Sequence, residues 1–245
     1  MMANVAPYGR TAPPDLDGGV CEVTRHGRGA LPRHRHATGY IAIVLAGGYV
    51  EAGDGGRWRA GPGTVIVHAA HEAHRDAFEA GETLVLNLPA AGMPFGQNAG
   101  LIDDIDTIAN LAMRDPAAAL EQVAAEIRPG AHRLADWPDL LADAIGKDPG
   151  LSIAHWADMT GLSPASVSRG FFRAFGVSPK RFRLEARTRR AIRAVSFTCE
   201  PLAQIAAENG FADQAHMTRA LRGIAGTTPA DLRAKSVQSA SMRAR

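Results

Sequence analysis

The chain has 245 residues, of which 46% are hydrophobic and 21% are charged, values typical of one or two domains with buried cores. Its two cysteines, Cys21 and Cys199, lie far apart without metal-ligand spacing, which excludes a disulfide scaffold and favours a reducing, cytosolic interior. No apolar run is long enough for a membrane helix, and the N-terminus lacks the apolar segment of a signal peptide, so we expect neither membrane insertion nor secretion.

The net charge of +2 conceals two halves of opposite sign. Residues 1–150 hold 12 basic and 19 acidic residues, a net charge of −7, whereas residues 151–245 hold 15 basic and 6 acidic residues, a net charge of +9. A segment of that charge creates a strong positive field. The asymmetry indicates a polyanionic partner for the C-terminal half and a different task for the acidic half.

The N-terminal half is predicted to be β-structure after a flexible tail. Residues 1–18 are rich in proline and glycine, which is typical of a loose terminus. Within residues 19–92, short apolar runs at 40–46, 63–69 and 83–88 are separated by glycine clusters. Runs of this length with such turn signals predict an antiparallel sandwich or barrel.

Residues 93–132 change to a helical pattern. Apolar residues recur three and four positions apart in LIDDIDTIANLAM and DPAAALEQVAAEI, which predicts two amphipathic linker helices. Their apolar stripes suit either packing on the preceding domain or formation of a homodimer, and the sequence leaves this choice open.

The segment 133–235 contains an internal repeat, in which residues 151–179 recur in outline as residues 201–229. The turn glycines Gly161 and Gly210 lie 49 positions apart, and the later landmarks lie 50 apart: Val167 and Met217, Arg169 and Arg219, Phe171 and Leu221, Gly176 and Gly226, Pro179 and Pro229. Each copy is predicted to be a short helix, a glycine turn, a second helix and a Gly-x-[Ser/Thr]-Pro stop. In that stop the glycine ends one helix in a left-handed conformation, and the hydroxyl residue and the proline begin the next.

A short helix, a tight turn and a second helix at a steep angle form a helix-turn-helix. A single copy would fit any corner between two helices. Two copies in register, each with an arginine in its second helix and both in a basic segment, indicate DNA binding. The residues predicted to form the core are Trp156, Phe171, Phe175, Ile205 and Phe211, and residues 236–245 are predicted to be a frayed tail.

These residues resemble the C-terminal domain of the AraC/XylS family of bacterial transcription regulators, over a stretch from Leu140 to Arg233. The second copy carries the resemblance most specifically, through Ile205-Ala206, Gly210-Phe211, Met217-Thr218-Arg219, Gly226 to Pro229 and Leu232-Arg233. Met217, Leu221 and Leu232 depart from the usual aromatic residues but keep apolar volume at core positions. The resemblance implies a regulator that inserts two recognition helices into successive major grooves of an operator and contacts RNA polymerase.

The resemblance also implies roles for individual residues. By position, the base-contact candidates are Ala165, Ser168 and Arg169 in the first copy and Gln214, His216 and Arg219 in the second. Arginine pairs with guanine and glutamine with adenine, whereas small side chains discriminate little, so we expect the second copy to read more sequence. An ion pair with a neighbouring helix is the alternative role for Arg169 and Arg219, and Asp213 is expected to cap its helix.

The connector between the two copies is predicted to run from Pro179 to about Val195. Such a helix spans about 25 Å at 1.5 Å per residue, and together with its flanking turns this length is compatible with the ~34 Å of one DNA turn. Its cations and those nearby are candidates for phosphate contacts, which supply affinity without sequence information. These candidates are Arg173, Lys180, Arg181, Arg187, Arg190 and Arg222.

The N-terminal half resembles a cupin, the small double-stranded β-barrel that members of this family often carry as a sensor. The resemblance lies in Pro32, His34, His36, Tyr40, Gly47-Gly48, Gly61-Pro62-Gly63 and His74. His34 and His36 are two apart in a predicted strand and therefore project from one face. His74 takes the place of a third metal-binding histidine, with His68 and His71 as competitors, and Tyr40 stands where metal-binding cupins carry a glutamate.

Three imidazoles suffice for Zn²⁺ or another first-row divalent metal with an open coordination position. The alternatives are that these side chains bind an organic effector, that they fill the barrel mouth, or that five histidines within residues 34–74 give a response to pH. No serine occurs in residues 1–150 and neither cysteine lies near the cluster, so the sequence shows no nucleophilic dyad.

The sequence thus predicts two domains: an N-terminal all-β cupin-like double-stranded barrel and, after linker helices, a C-terminal all-α tandem helix-turn-helix. The predicted function is an AraC-type transcription regulator, not an enzyme, modulated by a small-molecule effector or a metal. One rival is a cupin metalloenzyme, such as a dioxygenase or isomerase, with an accessory helical domain. A second rival is a general DNA-coating protein without an operator.

Overall fold

The computed structural model describes residues 21–79, 81–90, 97–148 and 150–234. They form two compact units, the first reaching Asp139 and the second containing most of the residues from Leu140 onward. Both predicted tails, 1–18 and 236–245, lie outside the described residues. Within the described ranges, every helix is too short or too polar to cross a bilayer.

Two antiparallel five-stranded sheets form the first unit, in agreement with the predicted all-β class. One sheet has the strand order β1-β8-β3-β6-β9 and the other β10-β5-β4-β7-β2. The strands are β1 (Glu22–His26), β2 (Gly29–Arg35), β3 (Tyr40–Ala46), β4 (Tyr49–Gly53), β5 (Gly56–Ala60), β6 (Thr64–His68), β7 (Ala73–Phe78), β8 (Thr83–Pro89), β9 (Ala99–Leu101) and β10 (His132–Arg133).

Two helices, α1 (Ile105–Ala112) and α2 (Pro116–Glu126), pack on the first of these sheets. Asp104 and Asp115 begin them by accepting hydrogen bonds from backbone amides three residues ahead, at 2.9 and 3.0 Å. The apolar stripe of the helices joins the sheet in one core, which includes Ile41, Ile43, Leu86, Ile108 and Val123. Packing on their own sheet therefore accounts for the stripe.

The segment predicted as a linker, 93–132, is part of the first unit in the structure. Strand β9 precedes the two helices and pairs with β6, and β10 follows them and pairs with β5. The Arg133 guanidinium lies 5.7 Å from the centre of the Trp58 ring and adds a cation–π contact to that edge. The first unit thus extends well beyond the predicted boundary at residue 92, because these short strands complete both sheets.

The helices of the second half are α3 (Trp137–Lys147), α4 (Ile153–Met159), α5 (Pro164–Phe175), α6 (Pro179–Phe197), α7 (Leu202–Glu208) and α8 (Gln214–Ala225). The repeat consists of two helix-turn-helix units, α4–α5 and α7–α8, joined by α6. The turn glycines Gly161 and Gly210 have φ of 68° and 71°, and the stop glycines Gly176 and Gly226 have 73° and 66°. This left-handed region is easily reached only by glycine, which explains all four positions.

The predicted helix starts are confirmed by their capping bonds. Ser178 accepts from the Arg181 amide at 3.3 Å before Pro179, and Asp213 accepts from the His216 amide at 2.6 Å. The connector α6 is two residues longer than predicted because Phe197 still lies within the helix.

Helix α6 carries the cores of both helix-turn-helix units. Near its start Phe182 packs edge-on against Phe171 of α5, with ring centres 5.3 Å apart. Near its end Val195 packs in the cluster that contains Ile205 and Met217. The core prediction holds for Phe171, Phe175, Ile205 and Phe211, but Trp156 is only partly buried, since one side of the short helix α4 remains open to solvent.

Candidate DNA interface and barrel histidine cluster

Helices α5 and α8 are the second helices of the two helix-turn-helix units. Each buries one face and exposes the other, and the buried and exposed residues stand at equivalent positions of the repeat. Val167 and Phe171 of α5 are buried, as are their counterparts Met217 and Leu221 of α8. Arg169 and Arg219, two positions after the first buried residue of each pair, are both exposed. Neither arginine is enclosed in the protein, so both remain available to a partner.

Most of the predicted base-contact residues lie on these exposed faces. Ser168 and Arg169 follow Ala165 by three and four positions on α5, and all three are exposed. Gln214 and Arg219 of α8 are exposed as well. His216 differs because it is partly buried and packs edge-on against Phe211, with ring centres 5.3 Å apart. That contact gives His216 a packing role in addition to its predicted role in reading bases.

Phe172 is an exposed residue of α5 that was not among the predicted DNA contacts. Phe171 and Phe172 are adjacent, so a helix can bury only one of them, and the structure buries Phe171 and leaves Phe172 57% exposed. Phe172 follows Ser168 and Arg169 by four and three positions and therefore extends their stripe on α5. An exposed aromatic ring on this stripe is suited to contact with a thymine methyl group. The feature of the sequence that could have identified Phe172 as a DNA-contact candidate is its spacing of seven and four positions from Ala165 and Ser168.

The predicted phosphate contacts fall into two groups. Arg173, Lys180, Arg181 and Arg222 are exposed, although Arg181 also donates a 2.9 Å hydrogen bond to Glu185, one turn further along α6. Arg187 and Arg190 instead bind backbone carbonyl groups of the second unit. Arg187 donates to the Gly210 carbonyl at 2.9 Å, and Arg190 donates to the carbonyls of Gly146 and Lys147.

Arg183 makes a third bond of this kind, donating to the Leu151 carbonyl at 2.7 Å. Carbonyl groups at helix ends and turns lack partners in their own helix, so the arginines satisfy groups that would otherwise need water. Burial lowers the pKa of Arg187, which nevertheless stays far above neutrality, so the side chain remains charged. These arginines hold α6 to the segments before α4 and between α7 and α8.

In the first unit, strand pairing brings three of the predicted histidines together. His34 on β2 lies directly opposite His74 on β7, and His36 follows His34 by two residues on the same face. The ring centres of His34 and His74 are 4.3 Å apart, and those of His34 and His36 are 5.1 Å apart. We call His34, His36 and His74 the histidine cluster.

Tyr40 and His68 face the histidine cluster from the other sheet, where they form a cross-strand pair of β3 and β6. The Tyr40 hydroxyl lies 3.2 Å from His74 Nε2, and the Tyr40 and His68 rings stack at 4.3 Å. Tyr40 thus contacts one of the cluster histidines where a glutamate was expected by analogy. Among the described residues, His71 is not part of the cluster and has a φ of 65°.

Two buried carboxyl groups, which sequence reasoning missed, lie behind the cluster. Glu51 and Asp76 are opposite each other on β4 and β7, and each is at most 5% exposed. Burial and the neighbouring Glu51 raise the pKa of Asp76 well above its usual range. Asp76 could have been found from the sequence, because it follows His74 by two positions in a predicted strand. Residues at that spacing project from the same face, as His34 and His36 do.

The electrostatic environment keeps the cluster neutral. Burial, together with the other histidines, lowers the pKa of His36 to about 4 and that of His74 well below its usual value. Burial also lowers the pKa of His34, against a raising contribution from its bond to the Pro32 carbonyl. Neutral imidazoles keep a lone pair on one ring nitrogen and can therefore act as ligands at neutral pH.

His68 behaves in the opposite way. Burial acts to lower its pKa, but the charge and hydrogen bonding of Glu51 outweigh burial and raise it. The His68 Nε2 atom lies 3.4 Å from the nearer Glu51 oxygen, and both side chains are almost fully buried. His68 and Glu51 therefore form a pair of their own beside the cluster.

The space next to the cluster is small. A cavity of about 10 Å³, lined by Glu51, Trp58, His68, Glu72 and His74 among others, lies between the strands. That volume holds about one water molecule. The conformation described here thus offers room beside His68 and His74 for a water molecule or an ion.

Comparison with known proteins identifies the second unit. Residues 156–235 match a family model described as "Helix-turn-helix domain". No curated protein matches the chain.

The chain is also similar to solved structures of regulators. The C-terminal domain of AraT, a response regulator from Geobacillus stearothermophilus, is 23% identical and covers 42% of this chain and 88% of its own, with a TM-score of 0.39. An AraC-type transcriptional regulator from Chromobacterium violaceum is 26% identical, covering 40% and 89%, with a TM-score of 0.38. Unsaturated-fatty-acid-bound ToxT from Vibrio cholerae is 10% identical, covering 86% and 93%, with a TM-score of 0.39.

Proposed function

We propose that this chain, which carries an AraC-type helix-turn-helix domain at residues 156–235, binds an operator through α5 and α8 and regulates transcription from it. The observation that carries the proposal is the repeated exposure of Arg169 and Arg219 above equivalent buried residues on two duplicated helices. We call the exposed faces of α5 and α8 the two reading surfaces. Their arrangement on either side of the connector α6 fits the way in which tandem recognition helices enter neighbouring major grooves.

Within this proposal the two surfaces have different tasks. Gln214 and Arg219 of α8 offer the side chains that pair with adenine and guanine, so α8 supplies most of the base discrimination. On α5, the small side chains of Ala165 and Ser168 and the ring of Phe172 lie on the same face as Arg169 and suit close approach to thymine methyl groups. Phosphate contacts come from the exposed cations at its margins, which are Arg173, Lys180, Arg181 and Arg222.

The first unit acts in this proposal as a sensor, and RNA polymerase is the partner through which the bound protein affects transcription. A bound effector alters operator affinity only if it has different affinities for the two states of the protein. In this proposal the first unit has no catalytic role. A homodimer is compatible with this reading and requires a separate measurement of mass in solution.

Selection of genomic fragments by the purified full-length protein tests the proposal. We expect a recovered motif with two half-elements about 10 base pairs apart, the spacing of one helical turn. The substitution Arg219→Ala should relax preference at one position of that motif and cost about 1–3 kcal/mol of discrimination. Arg114→Ala, which removes an exposed arginine of the first unit, is the matched control and should leave the motif unchanged.

The rival of a general DNA-coating protein predicts a different result in the same experiment. Fragments would then be recovered without a common motif, and Arg219→Ala would weaken all sequences alike. That outcome would overturn the assignment of a specific operator while leaving DNA binding intact.

A further inference from the structure

We propose that Arg57, Asp136 and Asp139 form an ionic clasp that transmits changes in the first unit to the second. The clasp fixes the place at which the chain leaves the first unit, because Asp136 directly precedes helix α3 and Asp139 lies in the first turn of that helix. The regulatory use of the clasp rests on the proposed function above, whereas the clasp itself stands on contacts within the first unit.

The clasp is built around the guanidinium group of Arg57. Its Nε atom donates to Asp139 Oδ1 at 3.0 Å, and its Nη2 atom donates to Asp139 Oδ2 at 2.8 Å. The same Nη2 atom also donates to Asp136 Oδ1. The planar arginine group matches a carboxylate in this bidentate way, so the contact fixes a direction as well as a distance.

The centre of the clasp is buried. The side chain of Asp139 is 1% exposed and that of Arg57 is 13% exposed, whereas Asp136 lies at the surface. A buried ion pair adds little net stability compared with apolar residues, and its best-attested use is to select one arrangement of the chain. Because a buried charge without its partner is strongly unfavourable, Asp139 leaves Arg57 only if the first turn of α3 moves as well.

The clasp and the start of α3 are one structural element. Asp139 Oδ2 accepts a hydrogen bond from the Asp136 amide at 3.2 Å, and the Asp139 amide donates to the Asp136 carbonyl at 3.0 Å. Such reciprocal bonds satisfy amide groups at a helix start that have no partner within the helix. The carboxylate that Arg57 holds therefore also orders the first turn of α3.

The segment before α3 is attached to the strand that carries Arg57. Strand β10 pairs with β5, and the Leu134 amide, next along the chain, donates to the Arg57 carbonyl at 2.9 Å. Backbone pairing and then the clasp thus hold residues 132–139 to β5, so the start of α3 follows the position of that strand.

Strand β5 also borders the small cavity beside the histidine cluster. Trp58 lines this cavity together with His68 and His74, and it lies opposite Glu51 on β4. Arg57 and Trp58 are adjacent in the strand and therefore project from opposite faces. A change in the barrel that displaces Trp58 consequently displaces Arg57, and β5 is the element that the cavity and the clasp share.

Helix α3 continues into the second unit, because the first unit reaches Asp139 and the second begins at Leu140. At the other end of α3, Arg190 of α6 donates to the carbonyls of Gly146 and Lys147. Arginine side chains thus hold both ends of α3, one from β5 and one from the connector that carries both helix-turn-helix units. A displacement of β5 is therefore expected to pass along α3.

Hydrogen–deuterium exchange of the full-length protein, with and without the selected operator fragment, tests this coupling. Coupling between two sites is reciprocal, so operator binding must change the first unit even when no effector is added. We expect the exchange rate of residues 56–60 to change at least three-fold on operator binding in the unmodified protein. Arg57→Gln should abolish this change at a saturating concentration of operator.

Arg59→Gln is the matched control and should keep the change. Arg59 lies two residues further along β5 and pairs with Glu79, and both side chains are more than half exposed. Arg57→Lys is the second variant, for the case that Arg57→Gln does not fold. Its ammonium group keeps the charge but cannot form the bidentate contact, so the change should shrink at least two-fold.

Two outcomes overturn the coupling. One is an exchange of residues 56–60 that operator binding leaves unaltered in the unmodified protein, and the other is an equal change in the Arg57 variants and in Arg59→Gln. Failure to bind any DNA fragment instead contradicts the proposed function, and the free protein then decides the clasp. Residues 136–140 should exchange at least five-fold faster in Arg57→Gln than in Arg59→Gln, and equal rates overturn the clasp.

Discussion

The guanidinium of Arg187, halfway along α6, donates a 2.9 Å hydrogen bond to the carbonyl oxygen of Gly210 in the turn between α7 and α8. Gly210 requires its left-handed φ of 71°, and a Cβ at that position would lie 3.4 Å from the Arg187 guanidinium. The connector therefore supports the second reading surface directly through a charged side chain. This geometry separates two roles that a cationic helix can have, contact with phosphate and internal support.

We predict that Arg187→Ala lowers stability by about 1 kcal/mol, because the Gly210 carbonyl loses its charged donor. Operator affinity should fall as well, since the turn before α8 is less well fixed, but the dependence of affinity on salt should stay the same. Chemical unfolding and binding at several salt concentrations measure these effects.

The control for Arg187→Ala is Lys180→Ala, which alters an exposed cation at the start of α6. This substitution should leave stability unchanged and reduce the slope of log affinity against log salt by about 0.9, the loss of one phosphate contact. A reduced slope for Arg187→Ala would return Arg187 to the phosphate contacts and contradict the prediction.

Two glycines of the α8 segment should respond to alanine with opposite signs. Gly226 ends α8 at a φ of 66°, so Gly226→Ala places a Cβ in a strained conformation and should cost about 1 kcal/mol. Gly223 lies within the same helix with open space around its Cβ position, so Gly223→Ala should add up to ~1 kcal/mol of stability. Thermal and chemical unfolding of both variants decide the matter, and a shift of the same sign would refute the assigned cap.

Phe172→Ala should weaken operator binding roughly five-fold, equivalent to about 1 kcal/mol. The ring is 57% exposed on the α5 surface and contributes little to the core, so the Tm should barely change. Phe197→Ala, which removes an even more exposed ring at the end of α6, is the matched control and should leave DNA binding intact. Equal effects of the two substitutions on operator binding would show that Phe172 is not part of the DNA interface.

Acid should destabilise the first unit in part through His26. Its ring is buried and stacks on Phe78 with ring centres 4.4 Å apart, and burial lowers its pKa. The folded state then binds a proton less readily than the unfolded chain, so stability is complete above the ordinary value of about 6.5 and falls as the pH drops below it.

We therefore predict that His26→Phe reduces the loss of stability between pH 7.5 and pH 5.5, because the stacking remains and the titrating group is gone. Urea unfolding at both pH values measures this difference. His155→Phe, on the exposed side of α4, should leave the pH dependence as it is in the unmodified chain. An identical acid response in all three proteins would contradict this role of His26.

Features that depend on neighbouring residues in the chain were predictable from the sequence. Ser178 and Asp213 were correctly predicted as helix caps, and Gly176 and Gly226 as left-handed positions, because each needs only a few adjacent residues. Because the same local pattern occurs twice in the sequence, it predicted the helices of the whole C-terminal domain.

Features that depend on distant partners were not predictable in the same way. Arg187 and Arg190 bind carbonyls 23 and 44 positions away, which no local pattern reveals, and their charge alone favoured phosphate contacts. The buried Glu51 was missed because a lone glutamate in a strand is usually exposed, and its partner Asp76 lies on β7, 25 positions along the chain. Strands β9 and β10 escaped notice because two or three residues carry no readable alternation.

Because Phe182 anchors one helix-turn-helix unit and Val195 the other on a single continuous helix, the rotational phase between the two reading surfaces is set by helical geometry. Inserting one residue between these anchors would advance one surface by 1.5 Å and turn it by 100° about the axis, away from the groove it should enter. In the proposed function, the two half-elements of an operator therefore have one fixed spacing. A change in the length of α6 keeps the relative orientation of the two surfaces only when it adds or removes close to a whole number of helical turns.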